Sequence, residues 1–332
     1  MGTVGILANP ASGKDIRRLV SHASLFTNQD KGNIVGRIVS VIAGLGEHDI
    51  YVMPDGDNLG PSAVYGLADK KNDRQNIHIL DMLIENNVND TIRFVKSMND
   101  LRVDVLVVLG GDGTSRAAAK TIGDIPMIPV STGTNNVFPE MVEGTVVGMA
   151  AAALASGMVR PEECCESCKR IEIYQDEKLV DIALIDLVVS SQNYLGAKAL
   201  WNVEDISRIV ATQCHPATIG FSAMIGCSAI VKRTDDFGIM AEFSLDKPNK
   251  KAAMAAGLIV PVHIKNQTKV LLDQNFVIKM ERQGTLALDG EREVMFSEGD
   301  EFTIRITRRG PKRVNLKKAL ERAHAAGLYD MI

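Results

Sequence analysis

The chain has 332 residues, enough for two hydrophobic cores, since a single core stops growing near ~250 to 300 residues. Its 45% hydrophobic and 23% charged content reads as folded nearly throughout, and a formal charge of -4 with a pI near 5.9 leaves too little basic surface for a nucleic-acid binder. Five cysteines, an odd number, suit a reducing cytoplasm rather than a disulfide scaffold.

The first element is a strand-like run, Val4 to Ala8, leading into Asn9-Pro10-Ala11-Ser12-Gly13-Lys14. It lacks the basic start of a signal peptide, and Ile6 stands where myristoylation wants Ser or Thr. Ser12 can cap a helix through Ile16, Leu19 and Val20, with Lys14, Arg17 and Arg18 near its first turns. Positive charge there opposes the helix dipole unless a phosphate lies beside it; a solvated basic face is the alternative. Ile34 to Leu45 has a helical pattern, His48 to Met53 reads as a strand, Asp57 to Ala68 as a helix and Ile77 to Leu80 as a strand. Asn89-Asp90-Thr91 is expected to cap a helix through Phe94, Val95 and Met98.

Val105 to Leu109 has no polar residue in alternation, the pattern of a strand covered on both faces of a parallel sheet. It runs into Gly110-Gly111-Asp112-Gly113-Thr114, with a helix predicted to start near Thr114. The glycines let main-chain amides approach a ligand, and the helix start favours an anion, usually phosphate. Asp112 conflicts with simple phosphate binding, because a carboxylate repels phosphates unless it holds a metal, accepts a proton or grips a hydroxyl. That conflict points to phosphoryl transfer, the plain alternative being a turn whose Asp caps the helix. Met127 to Val130 then leads into Ser131-Thr132-Gly133-Thr134-Asn135-Asn136. Three strand ends thus carry small hydroxyl and amide residues where open α/β sheets place their ligand loops. The longest apolar run, Gly144 to Val159, is Ala- and Gly-rich, shorter than the ~20 residues of a membrane span, and reads as a packed helix.

Strands and helices alternate to about residue 160, which implies a parallel sheet. From about Cys168 the runs are β-prone: Arg170 to Tyr174, Leu179 to Ser190, Thr218 to Val231, Met240 to Phe243, Gly257 to His263, Phe276 to Met280 and Glu301 to Thr307. The predicted division is an α/β nucleotide-binding domain at 1–160, a β-rich substrate domain at 161–312 and a C-terminal helix at 313–332. Asp289-Gly290 is a strong type I′ signal for a hairpin between Thr285 to Leu288 and Val294 to Phe296. Cys164, Cys165 and Cys168, with Cys214-His215, offer zinc ligands on paper, but not at the spacing of a standard knuckle. The six histidines form no HExxH pair.

The Asn-Pro-Ala-Ser-Gly, Gly-Gly-Asp-Gly-Thr and Thr-Gly-Thr-Asn-Asn segments at 9–13, 110–114 and 132–136 together resemble the superfamily of NAD kinases and diacylglycerol-type lipid kinases. The chain looks closest to its ATP-NAD kinase-like AcoX branch, the acetoin catabolism protein X family, a similarity that extends through Lys31-Gly32-Asn33 and Met53-Pro54-Asp55. The resemblance implies an α/β nucleotide domain paired with a β-sandwich, and a C-terminal helix packed back on the first domain. It implies ATP as donor and Mg²⁺ as the charge-spreading ion, with no metal ligand assigned. Gly110, Gly111, Gly113 and Thr114 would surround the phosphates. Thr132, Gly133, Thr134, Asn135 and Asn136 would flank them, and Asn9 and Ser12 would complete the nucleotide edge. Asp112 matches the aspartate that engages the substrate hydroxyl as base in NAD kinases. Glu291, in Leu288-Asp289-Gly290-Glu291, resembles the glutamate base of lipid kinases and would face Asp112 across an interdomain cleft.

Two departures stand out. The Asn-acidic pair that holds the dinucleotide appears as Ile185-Asp186, which leaves Asp186 as a substrate-binding carboxylate, for hydroxyls of a smaller substrate, or as a plain strand residue, and the Gly-Ser-Thr-Ala-Tyr element is missing, with Thr218 to Ala223 nearest to its place. The expectation is a cytoplasmic, homo-oligomeric, ATP-dependent kinase acting on a hydroxyl of NAD or a related small metabolite, with a link to acetoin catabolism and no membrane or nucleic-acid partner. The alternatives are a nucleotide-binding regulator that has lost turnover and a lipid kinase.

Overall fold

The computed structural model describes residues 2–13, 26–66, 76–133, 135–191 and 203–330. Lys14, Arg17, Arg18 and the helix expected behind Ser12 lie outside the described residues, as does Thr134. The first half alternates β1 (Gly2–Ala8), α1 (Asn28–Gly44), β2 (His48–Val52), α2 (Leu59–Tyr65), β3 (Ile77–Ile79), α3 (Val88–Asp100), β4 (Val105–Gly110), α4 (Asp112–Ala119), β5 (Met127–Ser131) and α5 (Gly144–Ala155), then α6 (Pro161–Cys164) and β6 (Cys165–Ser167). The first five strands pair in parallel in the order β3-β2-β1-β4-β5. In that doubly wound order the crevice for ligands opens at the carboxyl ends of β1 and β4, where the chain changes direction across the sheet.

Every residue of β4 is buried, and its alternate side chains feed two different cores. Val105, Val107 and Leu109 pack with Ile34, Val35 and Ile38 of α1 and with Val147 and Ala151 of α5. Leu106 and Val108 pack on the other face with Phe94, Val95 and Met98 of α3 and Ala118 of α4. This double cover is why the run carries no polar alternation.

The helix ends differ from the sequence pattern in ways the local hydrogen bonds explain. α3 is capped by Asn87, not by residues 89 to 91, and Asp90 completes a capping box. α2 is shorter than expected because the Asp55 carboxylate takes the amides of Asp57, Leu59 and Gly60 and fixes the helix start there. α4 starts at Asp112 itself, two residues earlier than the glycine content suggests.

The second half is a sandwich built from β7 (Arg170–Gln175), β8 (Lys178–Ala183), β9 (Asp186–Ser190), β10 (Ile206–Ala211), α7 (Phe221–Gly226), β11 (Phe237–Ser244), β12 (Lys250–Ala255), β13 (Leu258–Leu271), β14 (Asn275–Lys279), β15 (Gly284–Leu288), β16 (Glu291–Phe296) and β17 (Glu301–Thr307). One antiparallel sheet runs β12-β13-β11-β10-β9-β15-β16 and the other β14-β17-β7-β8. Ile171, Ile173, Phe302 and Ile304 from the second meet Leu187, Val189, Val210 and Leu286 from the first in one core. The run expected as a strand from Thr218 to Val231 instead holds α7 at its centre: Phe221, Met224 and Ile225 recur at helical spacing and are all buried, and Gly220 (φ 104°) turns the chain into them. The run from Leu179 to Ser190 is two strands in different sheets, broken at Leu184 and Ile185.

Arg313 and Val314, expected to begin the last helix, instead belong to β18 (Lys312–Val314), which joins the first sheet beside β5, with β6 antiparallel on its far side. Three residues are too few to reveal a strand period. α8 (Leu316–Ala325) follows and sets Ala319 and Ala323 in the core shared with α1 and α5. Among the described residues no helix is long and apolar enough to cross a membrane.

Candidate active site

The loop after β1 is held from beneath by a lysine. The Lys31 ammonium is fully buried at the start of α1 and donates to the main-chain oxygens of Asn9 (3.3 Å), Pro10 (2.8 Å) and Ser12 (2.6 Å), and to Asn28 Oδ1 (3.0 Å). Three carbonyls converging on one cation fix the loop's curvature and turn its other edge toward the sheet end. Asn9 Oδ1 accepts from Ala11 N, and its Nδ2 donates to Thr114 Oγ1 (2.8 Å), so the first two loops are tied side chain to side chain. Ser12 Oγ donates to Asn9 O and accepts from the buried Thr132 Oγ1 (2.9 Å), joining the third loop. Gly13 closes the turn at φ 70°, and a Cβ there would come within 2.5 Å of Thr132 O.

The second and third loops interlock as tightly. Asn136 Nδ2 donates to Ser131 Oγ (2.8 Å) and to Gly133 O, and its Oδ1 lies 2.8 Å from where a Cβ on Gly111 would be, so a side chain at 111 would push the Asn136 amide out of place. Asp112 turns its carboxylate to the irregular segment that leaves the third loop: Oδ1 and Oδ2 accept from Val137 N at 3.1 Å, and Oδ1 from Phe138 N at 2.7 Å. Asn9, Ser12, Gly110, Gly111, Asp112, Gly113, Thr114, Thr132, Gly133 and Asn136 therefore belong to one knot of loops at the carboxyl edge of the sheet.

The sandwich reaches this knot through the β15–β16 hairpin. Asp289 (φ 51°) and Gly290 (φ 82°) make the left-handed two-residue turn read from the Asp-Gly pair, and Glu291 follows with Oε1 only 2.7 Å from where a Cβ on Gly113 would lie. The hairpin and the cleft carboxylate are thus the same feature. Asp289 faces inward, accepting the amides of Leu184, Ile185 and Asp186 at 2.7 to 3.2 Å, which explains the break between β8 and β9. Burial pushes its carboxyl above the usual range, opposed by Arg116 and the three amides. Asp186 is buried one strand from the hairpin, its carbonyl accepting Asp289 N.

Arg116, one turn along α4 from Asp112, ties the halves together. Its side chain is only 2% exposed and faces Asp181 (3.2 Å), Asp289 (3.8 Å) and Glu291 (3.7 Å), while Lys120 on the next turn pairs with Asp181 at 2.8 Å. Neither Lys31 nor Arg116 was read as a site residue from the sequence. Their only local signal is a cation at the start of an apolar helix pattern and another directly after GGDGT. The five cysteines are free thiols, and among the described residues no group of three or more His, Cys, Asp or Glu side chains could hold a metal ion.

A parallel sheet in this order with GGDGT at its crevice, closed by an antiparallel sandwich, is the fold of NAD kinases and diacylglycerol kinases. Residues 4–158 match the ATP-NAD kinase N-terminal domain family. The structure of yeast NADH kinase complexed with NADH covers all of this chain and 89% of its own at 16% identity and a TM-score of 0.56. A putative diacylglycerol kinase from Bacillus anthracis covers 94% of this chain and 97% of its own at 13% identity and a TM-score of 0.50. Residues 169–309 match the acetoin catabolism protein X C-terminal domain, and the acetoin catabolism protein X of Cupriavidus necator is 34% identical over 311 residues, 91% of this chain and 86% of that protein. The chain belongs to the acetoin catabolism protein X family.

Proposed function

We propose that this protein is an ATP-dependent phosphotransferase that passes the terminal phosphoryl group to an alcohol, a hydroxyl of NAD or of a related small metabolite. One observation carries the reading: two carboxylates from different halves of the chain, Asp112 at the first turn of α4 and Glu291 against Gly113, meet at a loop knot of the kind that cradles phosphates. In this reading the amides of residues 110 to 114 line the phosphates. Asn9, Ser12, Thr114, Thr132, Gly133, Thr134, Asn135 and Asn136 supply the surrounding polar edge.

The two carboxylates divide the work. Two amides, of Val137 and Phe138, donate to Asp112, which suits it to orient the acceptor and hold the third loop in place. Glu291, 40% exposed, is the proton acceptor. The acceptor oxygen forms the new bond to phosphorus, the bond to the ADP oxygen breaks, and the hydroxyl proton passes to Glu291. Mg²⁺ in nucleotide sites is held mainly by substrate phosphates and water with one or two carboxylates; Asp112 would be the carboxylate to hold it here, and the ion would neutralise phosphate charge. Asp186 would bind acceptor hydroxyls from the sandwich side, and the five free thiols fit the cytoplasm, where we place the chain.

The test is coupled ADP release with ATP and Mg²⁺ against NAD, NADH, acetoin-pathway intermediates and diacylglycerol in micelles. Release that requires one acceptor and falls by about 100-fold or more in Glu291→Gln supports the reading, in line with the usual weight of a general base. ATP binding by calorimetry with no ADP from any acceptor overturns it in favour of a regulator.

A further inference from the structure

A second cavity lies on the flank of the first sheet, away from the loop knot and between α8, the carboxyl-terminal part of the β5 connection and the start of α5. It has a volume of about 670 Å³, within the ordinary range for small-molecule sites. Its apolar wall is made by Ile128, Val142, Val146, Val314, Leu316 and Leu320. Its polar wall is narrow and positive at the contact point: Arg313, 6% exposed, and Arg233 both converge on a single oxygen, Oε1 of Glu140, at 2.5 Å and 3.6 Å. The first turn of α8, ten residues long and beginning at Leu316, lines the same wall and adds the positive end of its dipole.

Glu140 is an unusual partner for two such arginines, because its own side chain is 60% exposed and comes in from solvent. Arg313 Nη1 is taken by the Phe138 carbonyl and Arg233 Nε by Glu166, and Glu140 gives the pair only one further oxygen, whereas a free carboxylate could bring two. We propose that this cavity binds a small organic monocarboxylate with an apolar body, its carboxylate displacing Glu140 from Arg313 and Arg233 while its body rests on the Ile128, Val146 and Leu320 wall. The geometry also gives such a ligand a route to the loop knot. Arg313 donates to the carbonyl of Phe138, and the amides of Val137 and Phe138 are the donors that hold Asp112. A ligand that moves Arg313 therefore moves the support of Asp112.

The probe is octanoate, titrated by calorimetry into the full-length protein without nucleotide, so that the result stands apart from any turnover. Octanol supplies the tail without charge and inorganic phosphate the charge without a tail. Expected are one-to-one saturable binding of octanoate, at least tenfold weaker binding of octanol and of phosphate, and about a tenfold loss in Arg233→Gln, as removal of a charge-assisted hydrogen bond gives. Glu140→Gln is expected to bind octanoate several-fold more tightly, a direction that misfolding cannot produce. Saturating octanoate should change hydrogen exchange at the Val137 and Phe138 amides. Equal binding of octanol and octanoate, no binding at all, phosphate binding as tight as octanoate, or affinity unchanged in both variants overturns the site. Unchanged exchange at the two amides overturns the route to Asp112.

Discussion

Arg116→Met asks what holds the two halves together at the candidate site. The substitution keeps an apolar stem of similar length and deletes the guanidinium that faces Asp181, Asp289 and Glu291 at 3.2 to 3.8 Å. At those separations and an effective dielectric of ~20, each contact carries roughly 4 to 5 kcal/mol of attraction, much of it offset by the cost of taking the guanidinium out of water. What remains after deletion is Asp289, whose side chain has no exposed surface, and breaking a buried pair by removing one partner costs about 3 to 5 kcal/mol. In a chain of this size that corresponds to a fall in Tm on the order of 10 °C. The pH dependence has a definite sign. Asp289 is raised above 3.8 in the folded state by burial, with Arg116 opposing, so its contribution to stability is present below 3.8 and is lost as pH rises through the folded value. Without Arg116 the folded value climbs further and the loss deepens, so the variant's deficit should be small near pH 4 and full at neutral pH. Urea denaturation of both proteins across that range measures it. A variant within about 1 kcal/mol of wild type at neutral pH, or one whose deficit grows on acidification, would refute the account.

Lys31→Met removes the ammonium on which three loop carbonyls converge, and ATP affinity by calorimetry should fall by about tenfold or more as the Asn9 to Ser12 turn relaxes. Gly113→Ala should leave the fold intact, since its Cβ meets only the movable end of Glu291, yet displace that carboxylate; turnover should drop at least about tenfold with a melting temperature near that of wild type. Asp112→Asn should lose about 1 to 3 kcal/mol of stability before any question of catalysis, because an amide NH₂ would replace one of the oxygens facing Val137 N and Phe138 N. His48 is buried with neither ring nitrogen bonded among the described residues, and burial lowers its pKa against the opposing pull of Asp104. The stability it supports is full above 6.5 and lost as pH falls from there through the lowered value, so His48→Leu should flatten the melting curve between pH 7.5 and pH 5.

What the sequence disclosed was whatever a short stretch determines by itself. The unbroken apolar run at Val105 to Leu109 announced a doubly covered strand, and Asp289-Gly290 announced its hairpin, because both signals are local. The three loops at the carboxyl edge of the sheet were legible for the same reason, since each is glycine or small polar residues directly after a strand. The elements that were missed depend on partners far along the chain. β18 is a strand only because β5 and β6 flank it, and α7 is a helix because Phe221, Met224 and Ile225 have a core to enter. Lys31 looks like any lysine near a helix start until the loop after β1 folds over it, and Arg116 acquires its role only when Asp181, Asp289 and Glu291 arrive from the sandwich.

α4 serves both halves with its two ends. Its first turn gives Asp112, Gly113 and Thr114 to the loop knot, and its next gives Arg116 to the sandwich, with Lys120 just beyond. Moving the sandwich away along this seam would break the contacts of Arg116 with Asp181, Asp289 and Glu291 together, a cost that few single ligand contacts could offset. The position of Glu291 over Gly113 is therefore set before any substrate arrives, since the same hairpin that carries it also carries Asp289, and Asp289 is bound on three amides and one arginine. In the proposed phosphotransfer, a site assembled in this way would spend little on reorganisation when a nucleotide enters, the condition under which fixed dipoles and charges are most effective on a developing transition state. On that proposal, discrimination among acceptors would fall to what the sandwich presents around that fixed hairpin, with Asp186 one strand away, rather than to closure of one domain upon the other.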